Sequence, residues 1–144
     1  APIDTPRRAM GDLLGNAVRF GVVDDVLAAG EGIETMLSLR YVLPTLPMTA
    51  ALSANHLSAM LPPSGLRRLY IARDADAAGD AAQAILTQRA EAAGIEAIVL
   101  SPRQGDFNED LHIFGLEALR AALLLQLAPE DVVRFLHSSM VTAE

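Results

Sequence analysis

Short apolar runs alternate with longer helical patterns along most of this chain. Runs with the length and apolar character of buried strands lie at residues 26–29, 48–52, 69–72 and 97–100. Apolar residues recur at helical spacing between and after them, over residues 33–42, 55–61, 78–93, 116–127 and 129–136. Strands that alternate with helices are typical of βαβ units. We therefore predict an α/β fold, a Rossmann-like three-layer sandwich whose central, mostly parallel sheet has about four strands flanked by helices.

Local signals mark the ends of the helices and of the folded part. Asn55 is the predicted N-cap of the short second helix, and Gly94 ends the long third helix. Residues 1–17 are expected to form a linker or arm and residues 138–144 a loose tail, which leaves 18–137 as the folded domain. The length of 144 residues suits one such domain.

The composition narrows the possible chemistry. All eleven basic residues are Arg, so a GxxxxGKS/T phosphate loop and any lysine-based mechanism are excluded. The chain has no Cys, which excludes a disulfide framework and a zinc ribbon. A net charge of −7 argues against nucleic-acid binding through a broad basic surface. Metal ions held by acidic residues would nevertheless reverse the charge locally.

The sequence predicts neither a membrane span nor a leader. No apolar run reaches the length of about 18 residues that a membrane span requires. The first residues also lack the apolar segment of a signal peptide. We therefore expect a cytoplasmic protein without a membrane partner.

Acidic residues follow three of the predicted strands. Glu31 lies in a Gly-flanked turn after the first strand, Asp74 and Asp76 follow the third, and Asp106 follows the fourth. Because parallel α/β sheets bind ligands beyond the carboxyl ends of their strands, we expect these side chains at one edge of the sheet. Asp74 and Asp76 are spaced i, i+2, so both point the same way in an extended chain. Carboxylate oxygens are ligands that Mg²⁺ takes from proteins.

Three segments, taken in order, carry a family resemblance. They are AGEGIETMLSLR around Glu31, YIARDADAAGDAAQ around Asp74 and Asp76, and SPRQGDFNEDL around Asp106. Together they resemble the Toprim domain, which topoisomerases, bacterial-type primases, some nucleases and a recombination mediator share. The EGIETML and GDFNEDL segments are most similar to the variant found in plasmid- and phage-borne primases and primase–helicases. The resemblance covers residues 26 to about 111.

The resemblance implies a role for each of these residues. Glu31 matches the family's general acid or base, and Asp74 and Asp76 match the pair that binds Mg²⁺, for which Mn²⁺ can substitute. Glu31 and Asp106 are further candidate metal ligands. The implied activity is nucleotidyl transfer in primer synthesis, on single-stranded DNA with nucleoside triphosphates, beside other domains of a longer primase or primase–helicase. Phosphoryl transfer needs its developing charge neutralised and its oxygens held in line, which metal ions do.

Two departures from the family pattern leave questions open. Primase-type relatives often carry an Asp four residues after the first Glu, where this chain has Thr35. The acidic spacing after the fourth strand is longer than in many relatives. Which of Asp106, Glu109 and Asp110 reaches a metal ion is therefore open.

Other activities within the family also stay open from the sequence. One is metal-dependent cleavage of phosphodiesters, as in Toprim nucleases, and another is a scaffold that binds DNA or a partner protein without chemistry. A topoisomerase is disfavoured, since Tyr41 and Tyr70 both lie in predicted core elements. Arg67 and Arg68 are expected in solvent at the opposite edge of the sheet, and Arg73 in an ion pair.

Overall fold

A five-stranded sheet forms the centre of the molecule. The structure, a computed structural model, describes residues 18–136, so the predicted arm at 1–17 and tail at 138–144 lie outside the described residues. The strand order is β1-β3-β2-β4-β5, and every pairing is parallel except that of β1 with β3. The strands are β1 (Val18–Phe20), β2 (Val26–Gly30), β3 (Met48–Ala50), β4 (Arg68–Ala72) and β5 (Glu96–Leu100).

Helices cover both faces of this sheet, which confirms the predicted three-layer α/β sandwich. None of the described helices is both long and apolar enough to cross a membrane. The helices are α1 (Ile33–Val42), α2 (Ala54–Ala59), α3 (Ala77–Ala92), α4 (Phe107–Phe114), α5 (Leu116–Leu124) and α6 (Pro129–Asp131), and α6 continues into a π-helical turn at Val132–Leu136.

Alternate residues of the central strands supply two separate cores, because successive side chains of a strand point to opposite faces. On one face, Ala28 and Tyr70 pack with residues of α1, α4, α5 and the π-helical turn, including Phe107. On the other face, Leu69 and Ile71 pack with residues of α2 and α3. The strands are therefore buried on both sides, which explains why they read as continuous apolar runs.

The structure differs from the sequence prediction in one strand, one helix and one helix cap. The antiparallel edge strand β1 was not predicted, since three residues give too short a pattern to separate from a loop. Helix α4 was not predicted either, and it lies in the acidic segment that follows the fourth predicted strand. The N-cap of α2 is Ser53, whose Oγ accepts a hydrogen bond from the backbone N–H of His56 at 3.0 Å, so the prediction of Asn55 was wrong.

Arg68 is buried rather than solvated, which corrects the prediction. Its guanidinium donates to Glu96 at 2.9 Å, to Glu130 at 2.6 Å and to the buried Asp131 at 2.8 Å. Asp131 also accepts a hydrogen bond from the Tyr70 hydroxyl, which in turn accepts from the backbone N–H of Ala128 at 2.9 Å. This buried network binds the C-terminal helical segment to the amino end of β4, away from the edge that carries the acidic residues.

Candidate functional site

The strand register places the predicted acidic residues at one edge of the sheet. Ala50, Gly30, Ala72 and Leu100 pair side by side across the four parallel strands, and each is the last residue of its strand. The chain segments that follow β2, β4 and β5 therefore leave the sheet from a single row. Glu31 comes directly after this row. The Asp74 segment leaves the row from β4, which pairs with β2, and the Asp106 segment leaves it from β5, which pairs with β4.

Asp74 lies at the centre of the acidic group. Partial burial, followed by the charges of Glu31, Asp106 and Asp76, raises the pKa of Asp74 to about 6. A pKa shift of this kind requires the other carboxylates to lie within electrostatic reach. The structure thus places Glu31, Asp76 and Asp106 within electrostatic reach of Asp74. Among the described residues, none of these four carboxylates forms an ion pair with an arginine.

Two of these carboxylates also cap helices. Asp76 is the N-cap of α3, where its Oδ1 accepts from the backbone N–H of Gly79 at 2.6 Å. Asp106 is the N-cap of α4 and accepts from the backbone N–H of Glu109 at 2.8 Å. In each residue the cap uses Oδ1. Because a carboxylate has two oxygens with several lone pairs, capping and metal binding are compatible in one side chain.

The close approach of α3 to the end of β4 depends on Gly79. A Cβ atom at this position would lie 2.5 Å from the backbone oxygen of Asp74 and 3.2 Å from the Asp74 Cβ. A larger residue would therefore displace the backbone that presents Asp74. A residue without a Cβ atom is therefore required at this position for α3 to pack against the end of β4.

Asp110 holds the loop that carries Asp106. Its carboxylate is buried and accepts from the backbone N–H groups of Arg103 at 2.7 Å and Gln104 at 2.8 Å. The same loop contacts the Asp74 segment directly, since the backbone N–H of Ala75 donates to the carbonyl of Gly105 at 2.8 Å. Asp110 thus acts as a positioning residue. Because the Asp110 carboxylate is buried and both of its oxygens accept backbone hydrogen bonds, it is not free to bind a metal ion. The Glu109 side chain is exposed.

Thr35 and Arg73 lie near the carboxylates in the sequence, and the structure shows their partners. Thr35 is buried, and its hydroxyl lies 3.5 Å from Asp74 Oδ1 as a hydrogen-bond donor. In the sequence, Thr35 stood out only because many relatives have Asp at this position. Arg73 donates to Asp80 at 2.6 Å, as the predicted ion pair requires, so its charge is committed to α3 rather than to the acidic edge.

Comparison with models of known protein families assigns this chain to a family. The Toprim domain model matches residues 26–117, which is more than half of the chain. The chain belongs to the Toprim domain family. The predicted resemblance is therefore confirmed, and the matched range begins at β2 and reaches the start of α5.

One solved structure similar to this Toprim domain is the Aquifex aeolicus primase, comprising its zinc-binding and RNA polymerase domains. The two chains share 21% sequence identity with a TM-score of 0.49, and the match covers 82% of this chain and 30% of that chain. The Toprim domain thus spans less than a third of that primase structure. No curated protein sequence matches the chain.

The donor set of this Toprim domain fits a hard divalent cation, although its side chains are not gathered around one point. In the described part of the chain, no three Asp, Glu or His residues are placed so that they could hold one ion together. The fit rests on chemistry and charge. The donors are carboxylate oxygens, no described arginine pairs with them, and burial and acidic neighbours raise the pKa of Asp74 to about 6. The side chains of Asp74, Asp76 and Glu31 would have to rotate to bring their oxygens around one ion.

We expect Asp110→Asn to weaken this site without direct contact to it. An asparagine has one carbonyl oxygen, so the N–H of Arg103 or of Gln104 would lose its acceptor, and the loop to Asp106 would loosen. The expected results are a loss of about 1–3 kcal/mol in the free energy of unfolding and a roughly 10- to 100-fold weaker Mg²⁺ affinity. Urea denaturation and Mg²⁺ titration by NMR measure the two effects.

The matched control for this prediction is Glu117→Gln. It removes one acidic charge from the exposed surface of α5, where the carboxylate pairs with Arg120. We expect this control to leave Mg²⁺ affinity unchanged. Equal Mg²⁺ affinities in Asp110→Asn and in the unmodified protein would contradict the positioning role.

Proposed function

We propose that this Toprim domain catalyses Mg²⁺-dependent nucleotidyl transfer on nucleic acid, as the catalytic module of a DNA primase or primase–helicase. The observation that carries the proposal is the group of carboxylates around Asp74, none of which forms an ion pair within residues 18–136. Its members are Glu31, Asp74, Asp76 and Asp106, and their mutual repulsion, added to burial, raises the pKa of Asp74 to about 6. A group of this kind is costly to the fold unless cations neutralise it.

Asp74 and Asp76 are the proposed Mg²⁺ ligands, with Glu31 and Asp106 as further donors. When bound, Mg²⁺ supplies charge neutralisation for phosphate oxygens and holds the reacting groups in line. The chain contributes positions for these donors. One oxygen of Asp76 and one of Asp106 accept helix-cap hydrogen bonds, and Asp74 Oδ1 accepts from the Thr35 hydroxyl at 3.5 Å.

Glu31 is the proposed general acid or base. It lies between β2 and α1 on the same edge, and its charge is the largest carboxylate contribution to the pKa of Asp74. Its backbone carbonyl accepts from the N–H of Leu52 at 2.7 Å, which fixes the turn that presents the side chain. A carboxylate beside the metal-binding pair is suited to take a proton from an attacking hydroxyl.

The primase assignment within the family rests on the sequence. The EGIETML and GDFNEDL segments resemble those of plasmid- and phage-type primases. In the structure the first segment provides Glu31 and Thr35. The second provides Asp106 and the positioning residue Asp110. Both segments thus contribute residues to the proposed site. The proposed substrates are single-stranded DNA and nucleoside triphosphates.

Glu31→Gln should abolish most of the primer synthesis. The assay combines the protein with single-stranded template, ribonucleoside triphosphates and Mg²⁺ or Mn²⁺, and resolves short labelled products by length. We expect a rate lower by roughly 100- to 10,000-fold, because this is the usual contribution of a general acid or base. Mg²⁺ binding, followed by NMR, should persist at reduced affinity.

The same assay separates the alternative activities. Shortening of a labelled template without new primers would assign the domain to the nucleases of the family. Binding of Mg²⁺ and template without either product would assign it a scaffold role. A primer yield from Glu31→Gln equal to that of the unmodified protein would contradict the role of Glu31.

A further inference from the structure

One edge of the sheet is formed by β5, whose outer side pairs with no other strand of the described residues. In a parallel ladder the N–H and the carbonyl of a residue point to the same side, and successive residues point to opposite sides. The N–H of Glu96 and the carbonyl of Leu100 bond to the residues that flank β4, at 3.0 and 2.9 Å. The backbone groups of Ala97 and Val99, the outward-facing pair, therefore point away from β4, and both residues are partly exposed.

The chain itself closes both ends of this outer edge. At one end the N–H of Ile95 donates to the carbonyl of Ala90 at 2.9 Å. At the other end the Gln126 amide bonds to Ser101 as a neighbouring strand would, accepting from its N–H at 2.7 Å and donating to its carbonyl at 3.1 Å. Between these ends, the two N–H groups and two carbonyls of the outward-facing pair have no hydrogen-bond partner within residues 18–136.

The two edges of the sheet differ in how they resist pairing with another strand. Short length and exposed charge are common devices that keep an edge strand from pairing. The opposite edge, β1, has both, since it is three residues long and its exposed central residue is Arg19. The middle of β5, residues 97–99, is uncharged, and Glu96 at its start is bound to Arg68 at 2.9 Å. The β5 edge is therefore open to pairing with a further strand.

We propose that β5 pairs antiparallel with β5 of a second copy of this chain, so that the two sheets join into one. A second copy fits because the open groups are symmetric about Ile98. With a twofold axis beside Ile98, Ala97 of each copy lies opposite Val99 of the other, and such a pair exchanges both of its hydrogen bonds. Every open group of the outward-facing pair then gains a partner. Glu96 lies opposite Leu100, so no like charges face each other.

The proposal is independent of the proposed function. None of the four carboxylates of the proposed site lies in β5, and the pairing uses the side of this strand rather than its carboxyl end. Loss of the second copy would therefore leave the positions of these carboxylates unchanged.

Sedimentation equilibrium and amide hydrogen exchange of the unmodified protein test the proposal directly. We expect the mass to rise from one chain to two with concentration. The amides of Ala97 and Val99 should exchange at least about 10-fold more slowly in the dimer than in dilute solution.

Val99→Pro removes an outward N–H that β4 does not use, and an edge strand tolerates proline at such a position. We expect this variant to weaken association by about 10-fold or more, because the symmetric pair loses two hydrogen bonds. Val99→Lys, which places a charge on the edge, should weaken association as well. Circular dichroism verifies that both variants are folded.

The control variant is Leu61→Lys, which changes an apolar side chain that is 75% exposed and lies outside β5. It should associate like the unmodified protein. A protein that stays monomeric up to about 1 mM would overturn the proposal. A dimer in which the two amides exchange freely would overturn it too, and would assign the contact to another surface. Slow exchange at every concentration would also overturn it and show that the same chain covers this edge.

Discussion

Replacement of Asp131 by Ala is expected to lower the free energy of unfolding by about 3–5 kcal/mol. Asp131 is almost fully buried, and its Oδ2 accepts from Arg68 at 2.8 Å and from the Tyr70 hydroxyl. The substitution leaves the buried Arg68 charge without its most buried partner, and it removes the acceptor of Tyr70. Urea denaturation followed by circular dichroism measures the loss.

The matched control is Glu130→Ala, in the same helical segment. Glu130 also contacts Arg68, but its side chain is 57% exposed. We expect a much smaller change in this variant, because water replaces an exposed partner readily. The double variant Arg68→Met with Asp131→Leu should recover most of the loss, since a buried ion pair is replaceable by apolar side chains. Similar losses in Asp131→Ala and Glu130→Ala would contradict the importance of burial.

Asp74→Asn is expected to remove Mg²⁺ binding and yet to stabilise the metal-free protein. The neutral amide relieves the repulsion from Glu31, Asp106 and Asp76 and lowers the cost of burial. At neutral pH we expect a gain of about 1–2 kcal/mol, after allowance for solvent screening of a partly exposed group. Thermal unfolding with and without Mg²⁺ measures both effects.

The pH dependence of the unmodified protein follows from the same residue. Burial and its acidic neighbours raise the pKa of Asp74 from 3.8 to about 6 in the folded state, so the folded state binds this proton more tightly. The contribution of Asp74 to stability is therefore complete below about pH 4 and is lost as the pH rises through about 6. In Asp74→Asn this decline should be absent, and the difference in stability between the two proteins should grow over this interval.

Added Mg²⁺ should reverse the effect at neutral pH in the unmodified protein. A ligand at about 100 times its dissociation constant stabilises the folded state by about 2.7 kcal/mol. Glu91→Gln, which removes one exposed charge from α3, serves as the control and should respond to Mg²⁺ like the unmodified protein. Equal stabilisation of Asp74→Asn by Mg²⁺ would contradict the assignment of Asp74 as a ligand.

Part of the fold and of the site was predictable because local patterns determine it. The runs around Leu69 and Ala97 are apolar because β4 is buried on both faces and the edge strand β5 is partly buried on both, and each acidic segment follows the end of a strand. The edge strand β1 and helix α4 were not predicted. The three residues of β1 are too short a pattern to recognise. Helix α4 has apolar residues at helical spacing, Phe107, Leu111 and Phe114, but Asp106 was interpreted as a metal ligand rather than as the N-cap that it provides.

The sequence by itself determined the alternation of strands and helices, the family, and the four acidic residues of the proposed site. Each of these follows from residue order and type. Only the tertiary structure decided the functions of Asp110 and Arg68. Asp110 holds a loop by two backbone hydrogen bonds, and Arg68 is buried against the C-terminal segment. The order of residues shows neither contact.

The exposure of Tyr41 and the raised pKa of Asp74 were likewise decided by packing. Tyr41 lies with the exposed Leu37 on a different face of α1 from the buried Met36 and Leu39, and no described element covers it, which corrects the prediction that placed it in a core element. The pKa of Asp74 depends on distances between chain segments that meet only in the assembled sheet. Burial and charge interactions arise between residues distant in sequence, and for that reason the folded structure, not the local pattern, sets them.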